Sequence, residues 1–426
     1  MARAMQHATY PSRTRAPLRI AIVGMGGATH VFRHWPERVI GRALARRGHT
    51  VVNIGYHDPR IPALAATEDQ VDGIIVRRVP VQHWPTRQLH AALTASGPFD
   101  VLYLLHPRNV LAWGATRWAK QRGVPTVYTW LGPLHDRYLV RDRERPYDAP
   151  PTYERLIWSL PQLLRRLRRD GRLRDHLRNY ALHWPLAVAD AFAPVSRHEA
   201  EALRRAGWPQ PQTLLPLWLD FEAIWATPRQ PIALPRPALL FIGQLTPRKG
   251  YDLLVRALPR VAQRYPGVSV QLVSGLNQED RRRLELLARE LGVWERIVLR
   301  GRVEDAELIN LYRSVDVYVT PTRYEGFGLT LLEAMAAGCP LIASDIPVVN
   351  EIVTHAVNGW LTRYDDPDDL ACAILRLLED EALRQRLIAG GMQTIAERFR
   401  EERLVERLET LLYHLHARRA PQERGE

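Results

Sequence analysis

Two glutamates, Glu325 and Glu333, are separated by a short glycine turn and the start of an apolar run. Gly326 and Gly328 allow the backbone to turn tightly and to bring bare N–H groups close to a ligand. Residues 329–337 are predicted to form a helix whose first-turn amides and positive dipole end bind an anion such as a diphosphate. A carboxylate accepts hydrogen bonds from two neighbouring hydroxyls, which suits Glu333 to a ribose and Glu325 to a hexose ring. The spacing therefore predicts a site for a sugar nucleotide.

An ordinary structural role is the alternative, with Glu325 as a loop carboxylate and Glu333 as a residue that complements a helix dipole. The ligand site is favoured because the run 324–340 resembles the E-x7-E signature of retaining glycosyltransferases of family 4. That family has the two-domain GT-B fold, and the resemblance covers roughly residues 18–415. It implies that the donor also contacts three residues at the turn and the helix start: Phe327, Leu329 and Thr330.

A double glycine, Gly26 and Gly27, follows the first apolar segment of the chain. The family resemblance places this loop over the donor phosphate and the acceptor. On its own the motif is similar to a dinucleotide fingerprint, but Thr29 stands where the third glycine is required. No acidic residue lies about 20 residues further on, where it would hold an adenosine ribose. We therefore expect no NAD binding.

The segment 241–250 resembles the strand and loop that carry cations to the diphosphate in the same family. Lys249 and Arg248 are therefore expected to be catalytic together with Glu325, because positive charge stabilises a departing nucleotide diphosphate. The segment is not a phosphate-binding P-loop, since Arg248 and Gly250 break that pattern. Most relatives carry arginine where this chain has Gln244, a further donor-site candidate. Our hypothesis is that Arg248 supplies that charge.

Further candidates follow from the resemblance. Gly275 is expected to contact the donor, and the backbone near Arg302 and Val303 to contact its base. Relatives commonly have an acceptor-side histidine where this chain has Leu131. His135 lies four residues later and His106 ends the preceding strand, so each is a candidate catalytic residue, although a lone histidine is more often a hydrogen-bonded structural residue.

Four aspartates, Asp365, Asp366, Asp368 and Asp369, surround Pro367 and contain the Asp-x-Asp pattern that a magnesium-diphosphate enzyme would use. Their place directly before an apolar helical run favours helix capping, in which aspartates accept hydrogen bonds from free amides. We therefore predict no metal site and no cofactor. The motifs Gly-x-Ser-x-Gly and His-Glu-x-x-His do not occur, so serine hydrolases and zinc proteases have no support.

The composition is that of an ordinary globular protein, with 426 residues, 46% hydrophobic and 25% charged. This length accommodates two domains that each have a core. The two cysteines, Cys339 and Cys372, indicate a reducing compartment and no disulfide framework. No apolar run approaches the roughly 18 residues of a membrane-spanning helix, and the N-terminal segment lacks the apolar core of a secretory signal. We expect a cytoplasmic protein.

Positive charge is concentrated in the first half of the chain. Residues 1–213 contain 32 Lys and Arg against 16 Asp and Glu, a net charge of +16, whereas residues 214–426 contain 27 against 30, a net charge of −3. Within 156–174, leucines recur at helical spacing and arginines occupy the other faces. This pattern fits an interfacial helix on the anionic inner face of a membrane, and equally a surface helix with a solvated arginine face. Aromatic residues do not alternate with the arginines, so we expect no nucleic acid partner.

Apolar strands alternate with helical segments, which predicts parallel sheets with right-handed crossovers. The expected fold class is α/β, with two Rossmann-like domains facing across a cleft, the GT-B arrangement that the resemblance implies. Residues 1–213 are predicted to form the acceptor domain, with 1–16 disordered, and the proline-rich stretch 214–237 to form the linker. Residues 238–396 are predicted to form the donor domain, and 397–426 a tail and a helix that returns to the first domain.

Together with the resemblance, these motifs predict a retaining glycosyltransferase that moves a hexose from a nucleotide diphosphate sugar to a hydroxyl acceptor, with an α linkage. UDP is the first expectation for the nucleotide and GDP the second. The acceptor is left open, because family members glycosylate lipids, polysaccharide intermediates, small sugars and metabolites. Two alternatives stay open: a nucleotide-sugar epimerase of the same architecture, and a nucleotide-sugar binding protein without catalytic activity.

Overall fold

The protein consists of two α/β units, each built on one sheet. The computed structural model describes residues 15–24, 26–31, 34–80, 86–106, 109–129, 159–170, 173–205, 207–275 and 278–419. Three predicted features lie outside these ranges: the leader up to residue 14, His135, and residues 156–158 and 171–172 of the arginine-rich segment.

Seven strands of the described chain form the first sheet: β1 (Arg19–Val23), β2 (Thr50–His57), β3 (Glu68–Val71), β4 (Ile74–Pro80), β5 (Val101–Leu105), β6 (Thr126–Thr129) and β7 (Ala191–Phe192). Their order is β3-β4-β2-β1-β5-β6-β7, and neighbours pair in parallel except β3 and β4. The helices of this part are α1 (Pro36–Arg46), α2 (Thr86–Ser96), α3 (Val110–Gln121), α4 (Leu160–Asp170), α5 (Leu173–Val188) and α6 (Arg197–Arg205).

At the edge of the first sheet, residues 72–76 do not form a single strand, although 74–76 are continuously apolar. Asp72 and Gly73 instead form a two-residue turn, with φ angles of +49° and +81°, that joins β3 to β4. Left-handed backbone at both positions matches the twist of paired strands, and Asp-Gly is a common sequence for it. β3 escapes prediction because its sequence is mostly polar and lacks apolar alternation.

Six strands of the described chain form the second sheet: β8 (Ala238–Ile242), β9 (Ser269–Val273), β10 (Ile297–Gly301), β11 (Val317–Thr320), β12 (Leu341–Ser344) and β13 (Trp360–Thr362). They pair in parallel in the order β10-β9-β8-β11-β12-β13. The helices are α7 (Phe221–Ala226), α8 (Tyr251–Arg264), α9 (Gln278–Glu290), α10 (Asp305–Ser314), α11 (Leu329–Ala337), α12 (Pro347–Asn350), α13 (Pro367–Glu379), α14 (Glu381–Arg398) and α15 (Glu401–Arg419).

The central strands are buried on both faces, because helices cover each side of a parallel sheet. All five residues of β5 are fully buried, which explains why its sequence is continuously apolar. In such sheets a ligand site forms beyond the carboxyl ends of the strands, where the loops leave them. Among the residues that the structure describes, no helix combines the length and the apolarity needed to cross a bilayer.

The last helix, α15, returns to the first unit and packs against α1. Glu409 of α15 accepts hydrogen bonds from Arg47 at 2.6 Å and from His49 at 3.0 Å. His49 is buried, and its other ring nitrogen accepts the Leu18 N–H at 3.0 Å. The helix begins at Glu401 rather than at the predicted residue 397, because α14 continues to Arg398 before the chain turns.

The predicted domain boundaries fall between the sheets. Residue 213 follows β7, and residue 238 is the first of β8. The boundaries themselves stay a prediction. At the N-terminus, Ala16 belongs to the predicted disordered leader, yet its carbonyl accepts a hydrogen bond from the Tyr413 hydroxyl of α15 at 3.1 Å.

Candidate functional site

The glycine turn lies between β11 and α11, at the carboxyl end of the second sheet. Gly328 has a φ of +104°, and a Cβ atom there would lie 2.8 Å from a side-chain carbon of Leu331. Both facts favour glycine at this position. The helix then begins at Leu329, which confirms the predicted helix, and its first-turn amides point back to the turn.

Lys249 and Glu325 form an ion pair at this turn, with 2.6 Å between Nζ and Oε2. Their side chains are only 15% and 13% exposed. Burial raises the pKa of Glu325, but the charges of Lys249 and Arg248 outweigh burial and lower that pKa below its ordinary value. The Gly326 N–H donates to the same carboxylate at 3.2 Å. Glu325 is therefore ionised at neutral pH, the state in which a carboxylate accepts hydrogen bonds from sugar hydroxyls.

A single-turn 3₁₀ helix, Pro247–Lys249, contains the two cationic residues Arg248 and Lys249. Hydrogen bonds join it to the segment that precedes α11. The Arg248 guanidinium donates to the Tyr324 carbonyl at 3.2 Å. In return, the Thr322 hydroxyl donates to the Arg248 carbonyl at 3.0 Å. Next to it, Gly250 has a φ of +70°, and a Cβ atom there would lie 1.8 Å from the Pro321 carbonyl oxygen. The close approach of these two backbones therefore requires glycine.

Arg323 strengthens the same junction and is not identified by motif reasoning. Its guanidinium donates to both carboxylate oxygens of Asp252, at 2.7 and 2.8 Å. It also donates to Asp365 at 2.6 Å and to the Pro247 carbonyl at 2.7 Å. Because bidentate arginine–carboxylate pairs have a fixed geometry, Arg323 holds the cationic turn beside the Glu325 turn.

Glu333, the second carboxylate, lies in α11 and accepts a hydrogen bond from the Tyr312 hydroxyl at 3.0 Å. Burial raises the pKa of Glu333, while His34 and Tyr312 act against that rise. Tyr312 is buried, and its ring packs edge-on against Tyr318 with 5.2 Å between the centroids. Sequence reasoning misses Tyr312, because no local spacing relates α10 to α11.

His34 belongs to the first unit and lies near this site. It lies between the glycine loop and α1, and an imidazolium at this position would lower the pKa of the Glu333 carboxyl. Its Nδ1 atom is buried and, within the part of the chain that the structure describes, accepts or donates no hydrogen bond. The loop after β1 therefore approaches α11, as the predicted arrangement requires.

Three buried polar side chains hold the glycine loop after β1. The Gly26 N–H donates to Glu37 at 3.3 Å, and the Ala28 N–H donates to the amide oxygen of Asn53 at 2.7 Å. Arg78 donates to the Ala28 carbonyl at 3.0 Å. Glu37, Asn53 and Arg78 are absent from the sequence prediction, because their partners are backbone groups that no motif records.

The two glycines of this loop leave no room for side chains. A Cβ atom at Gly26 would lie 2.1 Å from the ring of Trp35. Gly27 has a φ of +71°, and a Cβ atom there would lie 3.0 Å from the Asn53 amide oxygen. The double glycine thus allows the loop to lie close against neighbouring groups.

Four predicted donor contacts have different surroundings. Phe327 is 7% exposed, and its ring packs against Phe399 with 6.3 Å between the centroids. The prediction of a Phe327 donor contact is therefore restricted to its backbone, because the ring belongs to the core. Thr330 follows Leu329 in the first turn of α11, and both are partly buried. Gln244 is exposed, in the loop after β8.

Gly275, Arg302 and Val303 lie together at neighbouring strand ends. β9 and β10 pair in parallel, and the Ser274 N–H donates to the Gly301 carbonyl at 3.1 Å. Gly275 and Arg302 are exposed, whereas Val303 is partly buried against the core. They occupy the carboxyl edge of the second sheet, the edge from which α11 starts.

His106 directly follows β5 in the first unit and has a φ of +59°. Its N–H donates to the Thr129 carbonyl at 3.3 Å, and the Asn109 side chain donates to its carbonyl. These bonds join its backbone to β6 and α3. A catalytic role for His106 stays a prediction, and so does one for His135, which lies outside the described residues.

The aspartate cluster before α13 caps that helix, which confirms the capping prediction. Asp366 accepts the Asp369 N–H at 2.8 Å, and Asp369 accepts the Arg363 N–H at 2.8 Å. Asp365 pairs with Arg323. Over the described ranges, no group of three His, Cys, Asp or Glu side chains is arranged to hold a metal ion.

Two family models match this chain. The glycosyl transferase 4-like domain matches residues 38–218, and glycosyl transferases group 1 matches residues 227–394. The first match covers most of the first sheet, and the second covers all of the second sheet.

Relatives with similar sequence match only in part. An uncharacterized glycosyltransferase of Methanocaldococcus jannaschii is 37% identical over 161 residues, which cover 38% of this chain and 40% of that protein. The phosphatidyl-myo-inositol mannosyltransferase of Mycobacterium tuberculosis is 38% identical over 159 residues, covering 36% and 41%. The D-inositol 3-phosphate glycosyltransferase of Xylanimonas cellulosilytica is 33% identical over 222 residues, covering 48% and 52%. The matched stretches thus span about two fifths to one half of these relatives.

Solved structures match over nearly the whole chain. Sucrose-phosphate synthase from Thermosynechococcus elongatus has a TM-score of 0.69 at 23% identity, covering 94% of this chain and 100% of that one. Anabaena HepE in complex with UDP-glucose has a TM-score of 0.67 at 18% identity, covering 93% and 100%. At these identities the likeness establishes the fold, which is GT-B. The two family models also match in order along the chain, one in each unit, so each unit is similar to a glycosyltransferase domain.

Proposed function

We propose that this protein is a retaining glycosyltransferase of family 4 that transfers a hexose from a nucleotide diphosphate sugar to a hydroxyl acceptor. The buried Lys249–Glu325 ion pair beside the start of α11 is the observation that supports this most directly. It combines a cation for a departing diphosphate with a carboxylate for sugar hydroxyls. Glu333 lies further along the same helix, where it would accept hydrogen bonds from a ribose.

In the proposed reaction, the bond between the anomeric carbon and the diphosphate oxygen breaks. A bond from the same carbon to the acceptor oxygen forms on the same face, which gives the α linkage, and the acceptor proton passes to the departing diphosphate. Lys249, Arg248 and the amides at the start of α11 stabilise the negative charge that develops. Glu325 orients the hexose, so binding energy is used for positioning. No side chain has to take the proton in this scheme.

For the donor we propose UDP first and GDP second. The HepE structures contain UDP and UDP-glucose, compounds of the proposed donor class, which supports testing UDP sugars first. Two relatives carry inositol compounds in their names. Inositol, inositol phosphate and phosphatidylinositol are therefore the first acceptors to test.

We propose that the reaction takes place in the cytoplasm and needs no metal ion, so a chelator should leave its rate unchanged.

The experiment measures nucleotide diphosphate release and sugar transfer from UDP-hexoses and GDP-hexoses to a panel of acceptors. Lys249→Met and Glu325→Gln should each lower turnover at least about a hundredfold, because each removes a group that acts on the transition state. Lys120→Met is the matched control, since Lys120 also pairs with a carboxylate, Asp190 at 2.9 Å, but in the first unit.

Unchanged turnover in both Lys249→Met and Glu325→Gln would contradict the proposal. Incubating the protein with the donor alone tests the epimerase alternative, because an epimerase would change the sugar without an acceptor. A protein that binds the donor but releases no nucleotide diphosphate with any acceptor would be a binding protein.

A further inference from the structure

Helices α4 and α5 expose leucines that a globular protein usually buries. Leu160 and Leu164 of α4 are 56% and 49% exposed, and Leu173 and Leu177 of α5 are 53% and 45% exposed. Each pair is spaced four residues apart, so its two side chains lie on one stripe of the helix. Elsewhere in the described ranges, leucine is exposed to a similar degree only at Leu286. The leucines in this short span therefore form an unusual apolar surface.

Exposed arginines flank these leucines. Arg165 follows Leu164 in α4, and Arg174 and Arg178 follow the two exposed leucines of α5. Arg168 and Arg169 at the end of α4 are also exposed. Residues 160–178 contain seven arginines against two aspartates, a net charge of +5. The surface therefore combines apolar side chains with strong positive charge.

Other side chains of both helices pack into the first unit. Leu163 of α4 is 4% exposed, and Leu186 near the end of α5 is fully buried. The ring of Trp184 in α5 also approaches Trp113 of α3, with 6.3 Å between the centroids. Because the buried leucines already supply the packing, the exposed ones are not needed to hold the helices in place.

We infer that α4 and α5 form a docking surface for an anionic lipid bilayer. Leucines on such a surface enter the boundary between headgroups and acyl chains, while arginines contact the lipid phosphates. A second copy of this chain fits less well, because its surface would bring another charge of +5 against the first. Charge complementarity thus selects the bilayer as the occupant.

Helix α9 provides a matched control within the same protein. Its Leu286 is 60% exposed, so an isolated leucine of similar exposure is present. The four arginines and four acidic residues of α9 balance to a net charge of zero, and Arg283 and Arg289 pair with glutamates of the same helix. Replacing Leu286 therefore tests the loss of an exposed leucine whose surroundings carry no net positive charge.

The test is sedimentation of the full chain with vesicles of phosphatidylcholine alone and of phosphatidylcholine mixed with phosphatidylglycerol, at low and at high salt. The unmodified protein should sediment with the mixed vesicles at low salt and much less with the neutral ones. The double variant Leu164→Ser, Leu177→Ser should weaken that binding at least about tenfold. Leu286→Ser should bind as the unmodified protein does, and thermal unfolding should show that all three proteins are folded.

Equal binding by the double variant and the unmodified protein, or no preference for phosphatidylglycerol, would overturn the inference. So would an equilibrium-sedimentation result in which the unmodified protein is a dimer and the double variant a monomer, because the surface would then join copies of the chain. Vesicle binding requires no turnover, so its failure would leave the proposed transfer reaction unaffected.

Discussion

Arg248 and Gln244 differ in their surroundings, although both follow β8. Arg248 is partly buried and bonded to the Tyr324 carbonyl, directly before Glu325, whereas Gln244 is exposed. The family resemblance implies arginine at the position of Gln244. Because a diphosphate needs compensating charge, we expect Arg248 to provide it.

Arg248→Ala should therefore weaken binding of the nucleotide diphosphate about tenfold or more, since hydrogen bonds to charged groups contribute about 1.5–3 kcal/mol. Gln244→Ala should bind it as the unmodified protein does. Isothermal titration with UDP and GDP measures both variants. The reverse result, with affinity lost only in Gln244→Ala, would refute the hypothesis that Arg248 supplies the charge expected at the position of Gln244.

Tyr312 contacts the second carboxylate of the candidate site. Its hydroxyl donates to Glu333, and burial already raises the pKa of that carboxyl. Tyr312→Phe removes a donor that favours the ionised form, so the pKa of Glu333 should rise further. Donor affinity should then fall about tenfold at neutral pH, and its decline with acidification should begin at a higher pH.

The measurement is the dissociation constant for UDP as a function of pH in Tyr312→Phe and in the control Tyr318→Phe. The control removes the hydroxyl of the neighbouring buried ring but leaves the partner of Glu333 in place. Identical pH profiles in Tyr312→Phe and the unmodified protein would show that this hydroxyl does not act on Glu333.

Among the elements, the 3₁₀ turn Pro247–Lys249 depends on Gly250. Alanine there would need a left-handed backbone and would also meet the Pro321 carbonyl oxygen. Gly292 is the matched control, because its φ of +68° is almost the same and no atom lies within 4 Å of its Cβ position. Gly292→Ala should lower the unfolding free energy by about 1–2 kcal/mol, which is the cost of a left-handed backbone without any steric clash.

Gly250→Ala should cost clearly more than this and should also weaken donor binding, because the turn that carries Lys249 must move away from Glu325. Urea unfolding and UDP titration measure the two effects. Equal costs at Gly250 and Gly292 would mean that the close approach to Pro321 is not important for stability.

Several elements could be predicted from local sequence. The helix Leu329–Ala337 follows from two glycines before an apolar run, and the aspartate cap of α13 follows from acidic residues before another run. The β3–β4 hairpin could not be predicted from periodicity, because β3 is polar and is stabilised by pairing at the sheet edge. Its Asp72-Gly73 turn was the available signal.

On the scale of the whole molecule, Glu409 links α15 to the first unit through hydrogen bonds. Burial raises the pKa of Glu409, but hydrogen bonds from His49 and Arg47 outweigh it and lower the pKa below its ordinary value of 4.5. A carboxyl with a lowered pKa in the folded state contributes stability above its unfolded pKa. That contribution is lost as the pH falls through the lowered folded value.

Glu409→Gln should therefore reduce the unfolding free energy by about 1–3 kcal/mol at neutral pH, and the difference should shrink in acid below the unfolded pKa. Glu406→Gln is a suitable control, because Glu406 is an exposed residue of the same helix. Urea unfolding at neutral and acidic pH measures the difference. A difference that stays constant with pH would exclude an ionised Glu409 as its cause.

Local sequence determined the alternation of strands and helices, the glycine turn before α11 and the spacing of its two glutamates, because these depend on backbone conformation and on side chains a few residues apart. Only the tertiary structure decided which groups meet them. Tyr312, Arg323 and Asn53 reach their partners across different elements, and sequence spacing contains no distance between elements. The same reason applies to the leucines of α4 and α5. Their exposure depends on how both helices pack against the rest of the unit, which no periodicity specifies.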